Sequence, residues 1–332
     1  MDISENDILG WSRIFALTLG MGWAAWMDHK ERKVANEHWM IWIKPALFLW
    51  ALDLMAQDAH WSIYLTASAT VAYASGAVIG RPSISDVRNG SRIDLIVFVW
   101  YAVSIFGLLM GALEYQSTNP LDVMLGDADR LGALWWKTLS VLFVILIIDA
   151  AWRFRLLHGG ADAKALMWVA ILIPNWSTVP LSLNDATSVA LVALPPSLAL
   201  LMWGGLSFLV IPFILFFGNL ASGNISRLGD LRLAWHASKV ELDQVLQRHV
   251  WLLTTLIELP DGTTGIHHRT RAPRTTPSRE ALEGSVQALT EAGVNEVWVS
   301  SKLPLLVFLL PAIVPLVLLG DPMVLIMPLL GL

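Results

Sequence analysis

The chain has 332 residues, of which 55% are hydrophobic and only 15% charged. Soluble domains run closer to half and a quarter, so this composition points to a polytopic membrane protein. There is no cysteine, which excludes structural disulfides, thiolate metal sites and cysteine nucleophiles. The formal net charge of −5 says little, because in a membrane protein the distribution of charge among loops matters more than its sum.

The N-terminus carries Asp2, Glu5 and Asp7 and no basic residue. It lacks the positive region of a cleaved secretory signal, so the first helix is expected to be retained. A spanning helix needs roughly 20 apolar residues. Eight stretches qualify: 8–27, 39–56, 61–79, 93–113, 134–152, 165–179, 189–217 and 303–330. The sixth is short and blurred by Pro174 and Pro180, and the last two are long enough to tilt or break. Trp39, Trp61, Trp135 and Trp152 lie near predicted helix ends, as interfacial anchors do.

Basic residues set the orientation. Lys30, Arg32 and Lys33 follow the first stretch, Arg81, Arg88 and Arg92 the third, and Arg153, Arg155 and Lys164 lie between the fifth and sixth. Those loops are expected in the cytoplasm. The segments 57–60 and 175–188 have no Lys or Arg, and 114–133 has Arg130 alone beside Glu114, Asp122, Asp127 and Asp129; these are expected outside. The fold expected is therefore all-α: a transmembrane bundle of about eight spans, with a small cytoplasmic insert before the last. Its divisions are a bundle over 1–219, the insert over 220–302 and a final helix over 303–332. Within the insert, 231–259 has apolar residues at helical spacing, 260–277 reads as a linker, Thr276-Pro277 as the opening of a helix running to about Ala292, and 296–300 as a short alternating strand.

The stretch His158-Gly159-Gly160-Ala161-Asp162-Ala163-Lys164 sets an acid directly before an apolar helix, and an acid at a membrane boundary is a functional-site hypothesis. Counting crossings places Asp28, in Met27-Asp28-His29-Lys30-Glu31-Arg32-Lys33, on the same face. Two carboxylates that share one proton can run aspartic-protease chemistry. An acid near a helix start faces unpaired N–H groups that favour its ionised form, and Gly159 and Gly160 permit positive φ or a close approach of backbone. The bland readings are a helix cap or a solvated interfacial charge for each Asp, and a positive-inside anchor for Lys164. Asp149 and Arg153, four apart on one helix, read as an ion pair. Asp122, Asp127 and Asp129 read as a solvated loop, and Gly107 with Gly111 as a packing face. No His-Glu-x-x-His or Gly-x-Ser-x-Gly motif is present.

These residues resemble the archaeal preflagellin (prearchaellin) peptidase branch of the type IV prepilin peptidases, membrane aspartic proteases of the GxGD class. Asp28 to Val34 followed by Trp39 is similar to the family's first-aspartate block, and Gly159 to Lys164, continuing to Ile173-Pro174, to its GxGDxK block. Asn295 to Ser300 with Lys302-Leu303-Pro304, ending at Gly320-Asp321, resembles the approach to the final helix, and Ile211 to Asn219 the end of the one before it. Residues 57–133 lie outside the resemblance. It implies a catalytic pair of Asp28 and Asp162, an active-site loop of Gly159, Gly160, Ala161 and Lys164, no metal or organic cofactor, and a multi-pass archaeal cell-membrane protein with its site facing the cytoplasm. Its partners would be membrane lipid and, as substrates, precursors of archaellins or type IV pilin-like subunits cut after a short basic leader. No nucleic acid is expected. The chain departs from the family in having Ala161 where the motif has Gly, and in having four spans rather than two between the aspartates. That insertion brings a rival first acid, Asp86; Asp28 is preferred because its flanking residues match better. A proton-coupled transporter with a relay of intramembrane acids, and a non-catalytic scaffold, are the rival classes.

Overall fold

A computed structural model describes residues 5–157, 159–180, 194–259, 263–273 and 277–327. The chain divides into two compact units, one of residues 1–205 and 304–332, the other of residues 206–303.

The helices of the first part of the chain are α1 (Glu5–Glu31), α2 (Asn36–Ala56), α3 (Trp61–Ser75), α4 (Ile84–Arg88), α5 (Arg92–Glu114), α6 (Pro120–Leu125), α7 (Arg130–Arg153), α8 (Gly160–Leu172) and α9 (Pro196–Phe208). Four segments among the described residues are long and apolar enough to cross a membrane: α2, α5, α7 and the run Pro196–Ala221. That is fewer than the eight expected from the sequence. The third and sixth stretches are helical only over Trp61–Ser75 and Gly160–Leu172, and the eighth forms a shorter apolar helix, Leu305–Leu319. The long stretches break where tilting or breaking was expected. The seventh divides at residues 209–210 into α9 and α10 (Ile211–Ala221), and the eighth ends at Gly320, whose φ of +75° suits glycine.

Helix α8 is the centre of the first unit. Ala163 and every residue from Ala165 to Leu172 are buried, and a helix that is apolar all round belongs inside a core. It packs against α1, α2 and α7. At 13 residues it is about 20 Å long, too short to cross a hydrocarbon layer of about 30 Å. Its C-terminal carbonyls therefore end among apolar neighbours and need donors. Arg13 of α1 supplies one: it is fully buried, donates from Nη1 to the Leu172 carbonyl at 2.6 Å and from Nη2 to the Leu49 carbonyl at 3.1 Å, and lies 3.5 Å from Asp53 of α2. At the other flank Trp168 donates its indole N–H to the Trp42 carbonyl at 2.9 Å. Gly20 of α1 makes room for this, since a Cβ there would lie 2.6 Å from the Trp168 ring and 2.9 Å from that of Trp42. The Gly107 and Gly111 face of α5 packs as expected, with Leu65 against Gly107, and Thr66 and Trp135 against Gly111.

The second unit corrects the all-α expectation, because it is mixed α/β. It holds α10, α11 (Asp230–Ala234), β1 (Ser238–Glu241), β2 (Val250–Leu252), β3 (Thr254–Glu258), β4 (Thr264–His268), α12 (Arg279–Glu291) and β5 (Glu296–Ser301). The strand expected at 296–300 is central, with β1 and β2 antiparallel on its two sides, Val240 opposite Val297 and Leu252 opposite Val299. Both its faces are covered: Val297 and Val299 join Leu242, Val245, Val286 and Leu289, while Trp298 turns to Leu233, Ala237 and Leu253. The segment 231–259, read at helical spacing, is helical only in α11 and in a 3-10 turn over Leu242–Gln247 and otherwise yields three short strands, its Val and Thr residues suiting the pairing offered by β5 and β4. Helix α12 opens on Ser278, whose hydroxyl accepts from the Ala281 amide at 3.2 Å; Thr276, the cap read from sequence, lies outside the described residues. In the final segment α13 (Leu305–Leu319) leads to α14 (Pro322–Ile326), and Asp321, fully buried, caps the latter through the Met323 amide.

Removing one member of a buried ion pair leaves an uncompensated group, at a cost of about 3–5 kcal/mol. Arg13→Ala should therefore lower stability by about that amount in a detergent-unfolding titration, and Arg13→Met combined with Asp53→Leu should recover only the part due to an unmatched Asp53, because the Leu172 and Leu49 carbonyls still lack their donor.

Candidate active site

Asp28 and Asp162 stand on separate helices, near enough for the charge of Asp28 to act on Asp162. On α1, Leu17, Met21, Ala24 and Asp28 form one stripe, each 8% exposed or less, so the helical repeat turns Asp28 inward with the core residues before it. Asp162 is the third residue of α8 and half-buried. The N-cap of that helix is Gly159, with no side-chain capping bond, so Asp162 does not cap the helix. Gly159 has φ of −94°, a value open to any residue. Glycine is required there for another reason: a Cβ would collide with the Asp162 carboxylate. A Cβ on Gly160 would lie 3.2 Å from the Trp152 ring. Ala161 sits within the first helical turn, where Ala is at ease.

Both acids lie outside the apolar runs, Asp28 just past the one that ends at Met27 and Asp162 just before the one that begins at Ala165. Burial, and after it the charge of Asp28, push the Asp162 carboxyl up to about 7. Burial also raises Asp28, offset in part by Arg32 one turn on. Neither carboxylate accepts a hydrogen bond among the described residues; what links them is the charge of Asp28 acting on Asp162.

The surrounding helix ends are tied together. Lys164 donates to Asn36 Oδ1 at 2.8 Å, and Asn36 in turn donates to the Val78 carbonyl at 2.9 Å, linking the start of α8 to the start of α2 and the segment after α3. Lys164 thus ties the start of α8 to the start of α2. Asp149 bears out its pairing, with Arg153 Nε donating at 2.7 Å, and gains a partner not read from sequence, the Tyr73 hydroxyl at 2.6 Å. Asp86 lies in α4, and its side chain falls outside the described residues, as does His158. Asp129, read as part of a solvated loop, is the N-cap of α7, accepting from the Gly132 amide at 2.8 Å and the Thr118 hydroxyl at 2.9 Å.

A second polar cluster has the residue types of a hydrolase triad without its geometry. His60 Nδ1 lies 3.0 Å from both Ser62 Oγ and Glu114 Oε2. One ring nitrogen facing both partners cannot relay a proton from hydroxyl to acid, and Ser62 is fully buried. Among the described residues no group of three or more His, Asp or Glu is placed to hold a metal ion.

No protein-family model matches the chain. The chain is similar to a preflagellin peptidase of Methanococcus voltae, 27% identical over 156 residues. The match takes in 46% of this chain and 60% of that protein, so the chain spans less than two-thirds of its relative.

Removing a negative neighbour favours ionisation, so in Asp28→Asn the Asp162 carboxyl should titrate below the wild-type midpoint of about 7. Burial, the larger cause, persists, and the midpoint should stay above the ordinary value of about 4. Infrared titration of the protonated carboxyl band reads this; an unmoved midpoint would mean that the acids are not coupled. Gly159→Ala should displace the Asp162 side chain and lower stability by about 1–3 kcal/mol, measured by detergent unfolding.

Proposed function

We propose that the chain is a membrane-embedded aspartic endopeptidase in which Asp28 and Asp162 activate water. The observation that carries this reading is a buried carboxyl, Asp162, pushed up to about 7 by burial and by the charge of Asp28 on a separate helix. With one proton between them, the protonated acid polarises the scissile carbonyl while the ionised one takes a proton from the attacking water. Since Asp162 is the more strongly raised, it is the acid that starts protonated. Proton loss from the pair then removes the polarising group, and activity falls as pH rises through about 7. No metal or organic cofactor takes part in this chemistry.

The similarity to a preflagellin peptidase supports the substrate class: precursors of archaellins or type IV pilin-like subunits, cut between a short basic leader and an apolar helix. The basic residues beside both acids support a site on the cytoplasmic face of a membrane bundle over 1–219 and 303–332, with 220–302 as a cytoplasmic insert. Gly159 and Gly160 seat the acid and Lys164 fixes the helix that bears it. A proton relay through the bundle is the weaker reading: Asp53 is matched by Arg13 and Asp149 by Arg153, which leaves both acids tied to fixed cations.

Membranes carrying Asp28→Asn or Asp162→Asn should retain the inserted protein and lose roughly 10²–10⁴-fold in cleavage of an archaellin precursor, read as a size shift of the substrate. Asp86→Asn should cleave normally. Full activity in either of the first two variants would sink the dyad, and loss in Asp86→Asn with Asp28→Asn active would move the first acid to α4.

A further inference from the structure

Beside the start of α8 lies a cavity of about 480 Å³ that the proposed chemistry does not use, lined by Tyr73, Arg81, Asp149, Trp152, Arg153 and Met167 among others. That is ample for a small polar ligand. Its charges are two guanidiniums and one carboxylate. The carboxylate is enclosed, its side chain 9% exposed, and is already engaged by Arg153 Nε and the Tyr73 hydroxyl, with Arg81 Nη2 4.0 Å away. The two arginines are 57% and 61% exposed. Asp149 therefore orients Arg153 through its Nε edge and leaves the outer edge of the fork turned away from it. The Arg81 guanidinium stands over the Tyr73 ring at 5.8 Å. The cavity thus presents a net positive charge through two donor forks, the geometry that suits phosphate oxygens.

Its neighbour supplies the other half. An apolar groove of about 290 Å³, lined by Trp39, Leu47, Val71, Trp100 and Ile171 among others, shares Ala77 and Met167 with the polar cavity. Arg153 is the last residue of the candidate span Arg130–Arg153, so the polar cavity lies at the depth where hydrocarbon gives way to headgroups. Polar and apolar sites sharing one wall at that depth match an amphiphile. We propose that this pair of cavities binds an anionic phospholipid, its phosphate between Arg81 and Arg153 and an acyl chain in the groove between α2, α3 and α8.

The test uses the full chain purified in non-ionic detergent, with dioleoyl phosphatidylglycerol, dioleoyl phosphatidylcholine or inorganic phosphate added, and native mass spectrometry as the readout. Phosphatidylglycerol should be retained at least tenfold more tightly than phosphatidylcholine. Arg81→Gln, at an exposed side chain, should weaken its retention roughly tenfold, the loss of one charge-assisted contact, with circular dichroism unchanged; Arg81→Lys should recover part of it. Arg155→Gln, a basic residue nearby in sequence but not among the lining residues named, should have no effect. The proposal is overturned if Arg155→Gln weakens retention as much as Arg81→Gln, since attraction would then be diffuse. It is also overturned if inorganic phosphate binds as tightly as the lipid, or if Arg81→Gln leaves retention unchanged.

Discussion

The interaction on which the bundle depends is the grip of Arg13 on the end of α8. A helix of 13 residues buried on every side cannot bring its terminal carbonyls to water, and each one left unmatched costs free energy comparable to a lost hydrogen bond. A buried arginine is itself expensive unless its donors are used. The two needs meet at the guanidinium's terminal nitrogens: Arg13 bonds the Leu172 and Leu49 carbonyls and faces Asp53, while its Nε has no partner among the described residues. The contact also fixes α8 relative to α1 and α2, and α1 is the helix that carries Asp28. The two acids are thus held by a rigid frame, as preorganised chemistry requires.

Once α8 is fixed, the position of Asp162 follows from the crowding at its start. The carboxylate lies over Gly159, where no Cβ could stand, and Trp152 covers Gly160. These contacts strip water from the acid, the largest cause of its raised titration, and Asp28 adds a like charge in a place where screening is weak. Conformational freedom is not what the glycines provide. Their φ and helical placement are ordinary, and what they supply is absence of bulk. Ala161, within the first turn of α8, is partly buried against the core.

The sequence made both acids legible because each stood at the end of an apolar run, where a charge is conspicuous. It made the central strand of the second unit legible for the same kind of reason: Glu296 to Ser300 alternates, and alternation has one structural meaning. Other features were hidden. Arg13 lies within the apolar run 8–27 and was absorbed into it, though a lone charge there was a signal that a partner existed. Asn36, Tyr73 and Arg81 act through contacts across long sequence distances, which periodicity cannot report. The strands of 231–259 were masked because short strands and one helical turn leave similar spacing over so few residues, and only pairing with β5 and β4 decides between them. The shortness of α8 was hidden because apolar character continues past Leu172 to Val179 while the helix does not; Pro174 was the visible sign.

The segment 57–133, which lies outside the family resemblance, contributes to the neighbourhood of the acids. It supplies the Val78 carbonyl that completes the Lys164–Asn36 link, and it supplies Tyr73 and Arg81 to the cavity beside α8. The helices it adds pack closely, α3 against both α5 and α7, with Gly107 and Gly111 bringing α5 up to α3. Tyr73, turned by α3 toward α7, bonds Asp149, and Arg81 stands over its ring. Those contacts make this segment part of the wall of the cavity that Trp152 and Met167 also line.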